Sequence, residues 1–364
     1  MANPRFSARI AALTSALVSG AVALASCTPS IPTTPEPWSP SVPTTSADPV
    51  PETVPADLGA ADVTPDLLGR TSFVAYETRM AELSGELPVT IGGESTRIRT
   101  RSTEAMFSDD PEAIEYLLET VSEWVPEEQV TRHEYLYSFE GVEITAENII
   151  VSLPGVSRPD EKVLLTGHVD AWEGSPGADD NASGSATLLE AVRLLRLYRF
   201  ERTIEFVWFT GEEQGIQGSL AYVADQPLDE IVAVLNLDVL AYDSDGDRCA
   251  DINVGSLPES QRIGNALVAS IEKYDLGLTY DYVVEDPAFS DQVSFWRADV
   301  GAALLLQNWE DQGDPAGCAG KDRNPAIHTP LDSMANADVG MAFELTRLAL
   351  VTISDLAGPV GPAP

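Results

Sequence analysis

The sequence predicts a single α/β domain of three layers, with helices on both faces of a mostly parallel central sheet. Three observations carry that reading. The runs 162–166 (KVLLT), 203–209 (TIEFVWF), 231–237 (IVAVLNL) and 302–307 (AALLLQ) are continuously apolar or nearly so, as strands buried on both faces are. Segments with helical spacing alternate with them, which is the order that builds parallel sheets. With 364 residues the chain can bury one large core.

The elements follow in order. Residues 1–27 read as a processing segment: Arg5 and Arg9 precede an apolar stretch, 10–24, too short to span a bilayer comfortably. Leu24-Ala25-Ser26-Cys27 resembles a lipobox, which places cleavage before Cys27 and a lipid anchor on it. The expectation is an exported cell-envelope lipoprotein; the alternative is a fully secreted protein cut at Ala23-Leu24-Ala25. Nothing after residue 27 reads as a membrane span. Residues 28–60 are rich in Pro, Thr and Ser with no apolar period, an extended disordered linker. The domain is expected over 61–364, with its first folded residues near Thr64.

Within it, 111–124 carries Ile114, Leu117, Leu118 and Val121 at helical spacing, with Asp109 or Asp110 as cap. Runs 134–139 and 148–153 read as strands joined by a turn at Gly141. The strand from Lys162 follows, then a helix over 184–198. The strand 203–209 ends in Gly211-Glu212-Glu213, and a short helix covers 218–224. The strand 231–237 ends in Asp238, a helix covers 261–273, the strand 302–307 follows, and a helix over 339–356 closes the chain. There is no internal repeat.

Net charge is −37, from 58 acidic and 21 basic residues, which argues against nucleic-acid partners. It suits a soluble, repulsive surface and could steer cations or amines to a cleft. The chain is expected to be a monomer. Apart from Cys27, only Cys249 and Cys318 remain; in an exported chain they form one disulfide or stay two free thiols. Asp243, Asp245 and Asp247 partly match a Ca²⁺ loop but lack the distal glutamate of an EF-hand, so a surface loop is the competing reading.

Ligands of open α/β sheets bind beyond the carboxyl ends of the strands. His168, Glu212, Glu213 and Asp238 each follow the end of a predicted strand. If those strands are parallel neighbours, the four side chains meet on one rim. Only three histidines exist; His328 stands in a polar loop after the last strand, whereas His133 reads as a surface or capping residue. Imidazole and carboxylate together are ligands for Zn²⁺.

The ordered set His168-Val169-Asp170, the 177–184 run GADDNASG, Glu212-Glu213, Asn236-Leu237-Asp238 and Ile327-His328-Thr329-Pro330 resembles the co-catalytic di-zinc aminopeptidases of bacteria. Glutamate carboxypeptidase and glutaminyl cyclase are more distant relatives of that group. The resemblance covers roughly 70–358 and implies the zinc exopeptidase fold and hydrolysis of N-terminal residues from peptides. It implies two Zn²⁺ per chain: His168 and Asp238 on one, Glu213 and His328 on the other, and Asp180 bridging both. It makes Asp170 the carboxylate that orients His168. Glu212 becomes the base for a water held between the metals. It also implies a cis peptide at Asp180-Asn181. One departure stands out: many relatives carry Ser-Asp-His where this chain has Ser290-Asp291-Gln292. Ser290, Asp291 and Phe295 are candidates for a substrate pocket. Phe289, Phe295 and Trp296 could line it or be core aromatics. A carboxypeptidase, a one-zinc cyclase or a non-catalytic peptide-binding module on the same fold are the competing readings.

Overall fold

The structure is a computed structural model that describes residues 38–40, 53–102, 112–139, 141–284, 289–309, 318–320 and 322–364. The leader, Cys27, most of the linker and the Asp109 and Asp110 caps lie outside the described residues.

Two helices open the domain, α1 (Ala60–Gly69) and α2 (Phe73–Leu83), followed by a small hairpin of β1 (Val89–Ile91) and β2 (Glu94–Thr96). Then come α3 (Glu112–Ser122), β3 (Val130–Phe139), β4 (Val142–Leu153) and β5 (Arg158–His168). Next are α4 (Gly184–Leu195), β6 (Tyr198–Phe200), β7 (Arg202–Phe209), α5 (Gln217–Asp225) and β8 (Ile231–Leu237). The rest is β9 (Cys249–Val254), α6 (Pro258–Lys273), β10 (Thr279–Val284), α7 (Gln292–Arg297), β11 (Ala302–Gln307), α8 (Val339–Ala357) and β12 (Pro359–Pro362).

Among the described residues, eight strands form the central sheet in the order β10-β9-β11-β8-β5-β7-β4-β3. The four middle strands β11, β8, β5 and β7 are mutually parallel. Antiparallel joints occur at β11/β9, β4/β7 and β3/β4. The apolar runs read as strands are therefore the centre of the sheet, and the mostly parallel α/β architecture stands.

The two sheet faces divide the core by strand alternation. Val163, Leu165, Ile204, Phe206 and Trp208 pack into one cluster with α2, α4, α6 and α8. Leu164, Val207, Phe209 and Val234 point the other way, towards Tyr222 on α5 and Phe295 on α7.

Several boundaries differ from the sequence reading. The helix from Gly184 stops at Leu195, because Tyr198 and Phe200 pair with β12 beyond the last helix. β9 and β10 were not legible as strands: buried Asp251 and Asn253 interrupt the apolar run of β9. Within the stretch read as linker, Trp38, Val54 and Leu58 pack against the main core. Cys249 and Cys318 are bridged, with Cα atoms 5.4 Å apart.

Candidate metal centre

β5 ends at His168, Asp238 directly follows β8, and Glu212-Glu213 lie just past β7. These three strands are adjacent and parallel, so the residues share one rim of the sheet. Asp180 lies on the turn that leads into α4, and His328 on the loop between β11 and α8.

That turn is tightly specified. Gly177 has φ 63°, and a Cβ there would fall 2.4 Å from the Asp180 carbonyl oxygen, so only glycine fits. The Asp180-Asn181 peptide is cis, as the resemblance implied. The Asn181 side chain donates to the Leu237 carbonyl (2.9 Å) and accepts from the Gly184 N–H (2.9 Å), which fastens the turn to the end of β8. Asp332 accepts the N–H groups of Asp179 (2.8 Å) and Asp180 (3.1 Å). Asp179 in turn accepts from the Ala241 N–H and the Asn324 amide.

Two donor groups result, joined through Asp180. His168 Nε2 lies 3.2 Å from Asp238 Oδ1 and 3.3 Å from Asp180 Oδ1. His328 Nε2 lies 3.1 Å from Asp180 Oδ2 and 3.2 Å from Glu213 Oε2. In each group the donor atoms lie within 4.8 Å of one another. Glu213 Oε1 is buried with no hydrogen-bond partner among the described residues. A set of imidazole nitrogens and carboxylate oxygens with an orphaned buried oxygen fits Zn²⁺. Neither group contains Glu212, which lines the cleft beside them.

Asp170 contacts both the backbone of the glutamates and His168. Its carboxylate accepts the N–H groups of Glu212 and Glu213, each at 3.3 Å, and so orients both glutamates. His168 Nδ1 is 3.1 Å from the Asp170 carbonyl but 3.6 Å from its carboxylate. The carbonyl thus keeps the proton on Nδ1 and leaves Nε2 free for a metal.

The electrostatics are those of crowded acids around two imidazoles. Hydrogen bonds to Asp180 and Glu213 push His328 up to about 10. Burial works against a charge on His168, but Asp238, Asp170 and Asp180 outweigh it and raise its pKa well above the ordinary value. Burial likewise opposes charge on Asp180, yet hydrogen bonds from both histidines hold it well below the usual carboxylate range. Burial raises Glu213 to about 7, with Asp180 adding. Glu212 is raised well above its ordinary value, first by burial and then by Asp238, Asp291 and Glu213, with His168 opposing.

The cleft holds about 280 Å³. One side carries Asp180, Glu212, Glu213 and Asp238; Val239, Phe289, Trp309 and Ile327 make an apolar wall, and Arg323 adds a cation. Of the expected pocket residues, Ser290 lines this cleft. Asp291 is fully buried behind it, and Phe295 is a core aromatic against Phe209 and Tyr222, so neither faces the cleft. Gln292 accepts from the Asn236 amide (3.2 Å) and donates to the Phe289 carbonyl (2.6 Å), tying the cleft wall to β8.

Arg101 was not read from the sequence. Fully buried, it donates to the carbonyls of Val169 (2.8 Å), Leu83 (2.6 Å), Pro176 (2.9 Å) and Gly177 (2.7 Å). Burial lowers its pKa to about 10, against the pull of Asp332, Asp180, Asp170 and Glu213, so it stays charged at neutral pH. Trp172 was also unread; it stacks on the His328 ring at 4.6 Å and 17°. Asp332 had a signal, a carboxylate in the same polar loop as His328. His133 lies on β3 and pairs with Asp225 at 3.1 Å, apart from the centre.

Asp243, Asp245 and Asp247 do bring oxygens together. Their carboxylates accept the loop's own N–H groups, Asp243 from Gly246 and Arg248 and Asp247 from Cys249. These bonds tie the loop to its own backbone.

Residues 148–353 match the sequence profile of peptidase family M28. A probable leucine aminopeptidase of Arthroderma benhamiae is 31% identical over 224 residues, 56% of this chain and 56% of that protein. Aminopeptidase YwaD of Bacillus subtilis is 30% identical over 198 residues, 52% of this chain and 40% of that one. The chain spans about half the length of the curated relatives it matches. Among solved structures, the LapA aminopeptidase of Legionella pneumophila has the same fold (TM-score 0.65, 19% identity, 85% of this chain and 78% of that one). So does the glutaminyl cyclase of Macrostomum lignano (TM-score 0.60, 14% identity, 86% of this chain and 98% of that one).

Proposed function

The chain belongs to peptidase family M28, and on that footing we propose that it is a zinc-dependent aminopeptidase acting on peptides with a free N-terminus. The observation that carries this is the pair of His–carboxylate donor groups sharing Asp180, with Glu212 beside them and outside both. His168, Asp180 and Asp238 would hold one zinc, and Asp180, Glu213 and His328 the other. Bound there, the ions supply Lewis acidity for the scissile carbonyl and acidify water. Glu212 Oε takes the proton of the attacking water and passes it to the leaving amine. Asp170 keeps Glu212 aimed inward through the backbone N–H it accepts.

The cleft's size and charge support the terminal-residue reading. At about 280 Å³ it is just smaller than the roughly 300–1,000 Å³ of ligand pockets. Its acidic side suits an α-ammonium, and its apolar wall suits a large apolar first side chain. We also propose export and tethering through Cys27, with the Pro-rich stretch as spacer.

The test is mass spectrometry of a peptide pool incubated with the purified protein and Zn²⁺, with free and acetylated N-termini and some N-terminal glutamine. Stepwise N-terminal loss from free amines alone is expected. Equal loss from acetylated peptides, or ammonia loss from N-terminal glutamine without cleavage, would overturn the proposal.

A further inference from the structure

Arg323 lines the same cleft as Glu212 and Asp238. Its guanidinium carbon stands 3.7 Å from the centre of the Trp309 ring. That indole is itself anchored: the Trp309 backbone N–H donates to Asp251 Oδ2 at 2.8 Å, and the ring packs against Phe289 at 6.3 Å. Among the described residues Arg323 has no ion-pair partner. Arg70, Arg79, Arg132, Arg193 and Arg202 each meet a carboxylate within 2.9 Å. Other arginines, such as Arg101 and Arg199, also lack an acid, but among the residues that line this cleft Arg323 is the cation and it stands opposite Asp180, Glu212, Glu213 and Asp238 without pairing with them.

A guanidinium held over an aromatic face keeps its in-plane N–H fork free for a carboxylate. The apolar wall lowers the local dielectric and strengthens that contact. We propose that Arg323 is a specificity-determining residue that binds a carboxylate on the substrate. The favoured substrates are therefore short or acidic peptides that bring a carboxylate near the scissile bond. Two sources share that chemistry, an acidic side chain on the first or second residue and the C-terminal carboxylate of a dipeptide. The inference rests on the aminopeptidase reading above.

The experiment compares kcat/KM of the zinc-loaded enzyme on three matched pairs: Leu-Gly against Leu-Gly-amide, Glu-Gly-amide against Gln-Gly-amide, and Leu-Glu-amide against Leu-Gln-amide. In at least one pair the carboxylate member should be preferred, and Arg323→Gln should reduce that preference roughly 10- to 100-fold. Arg323→Lys should restore part of it, because an ammonium keeps the charge and loses the fork. The pair that responds identifies the source. Equal preference in wild type and Arg323→Gln for all three pairs would overturn this inference while leaving an aminopeptidase. No cleavage of any pair by the wild-type enzyme would overturn both readings.

Discussion

Arg101 is the residue whose loss should cost most for its size. Its guanidinium feeds four buried carbonyls, and two of them belong to the ligand loops: Val169 lies between His168 and Asp170, and Gly177 opens the turn to Asp180. Arg101→Lys keeps a charge but brings its three donors from one point. Three donors serve at most three of the four carbonyls, so at least one loses its donor. A buried acceptor left unsatisfied costs about 1–3 kcal/mol, so the variant should lose at least that much. That is a measurable share of the roughly 5–15 kcal/mol that holds a domain folded. The assay is urea unfolding followed by far-UV circular dichroism, with chelator and with zinc. In chelator the variant should show the full loss. Zinc should return part of it, because a ligand bound only by the native state stabilises that state, by about 4 kcal/mol at a thousand times its Kd. A loss below about 1 kcal/mol in chelator would refute the account, since it would mean that the carbonyls find other donors or do not depend on this one.

Other consequences can be checked on the same preparation. Glu212→Gln should retain both zinc ions by elemental analysis and lose roughly 10²–10⁴-fold in kcat, as removal of a general base does; full turnover would remove Glu212 from the reaction. His328→Ala should weaken one zinc site and spare the other, because the His168 group is built from buried residues that do not include it; unchanged zinc content in a chelator titration would refute the assignment. Zinc uptake should release protons at pH 7. In the metal-free protein His328 is raised to about 10 and is therefore protonated there, and its neighbouring acids raise His168 as well, whereas a ligand nitrogen must be neutral. Zinc affinity should accordingly rise with pH through the neutral range. Calorimetry in buffers of different ionisation enthalpy reads the proton count, and a count of zero would refute the charge state assigned to the site.

The parts of this structure legible in the sequence are those set by chain-local rules. A strand buried on both faces must be apolar along its whole length, so β5, β7, β8 and β11 announce themselves, and the rule that ligands bind at strand C-termini picks out His168, Glu213 and Asp238. His328 was reachable only because histidine is so rare in this chain. What was hidden was set by tertiary contact. β9 carries Asp251 and Asn253 inside the protein, against the polarity rule that exposes a strand to detection. Arg101 acts through backbone carbonyls, which have no sequence signature. Asp291 adjoins a cleft residue, Ser290, but it caps a short helix, 292–297, which carries Phe295 into the core. The Arg323–Trp309 pair joins two loop positions whose proximity no spacing announces.

The charge in the cleft bears on how many metals the site is made for. Asp180, Glu212, Glu213 and Asp238 all line it, and with neutral imidazoles they carry four negative charges. Asp170 and Asp332 are already occupied by backbone N–H groups. Without metal the site offsets its charge by holding protons: both histidines are raised, and burial raises Glu212 and Glu213 as well. Two divalent cations match four carboxylates and let those protons leave. One cation leaves two charges unbalanced in a poorly solvated cleft, where an uncompensated charge is costly and a group takes up a proton instead. Glu212, outside both ligand groups and already raised, is the group best placed to keep one. A proton kept on Glu212 would oppose the base role proposed for it, and a second ion favours the loss of that proton. The proposed base and the proposed pair of ions therefore support one another, and the donor set around Asp180 is compatible with both.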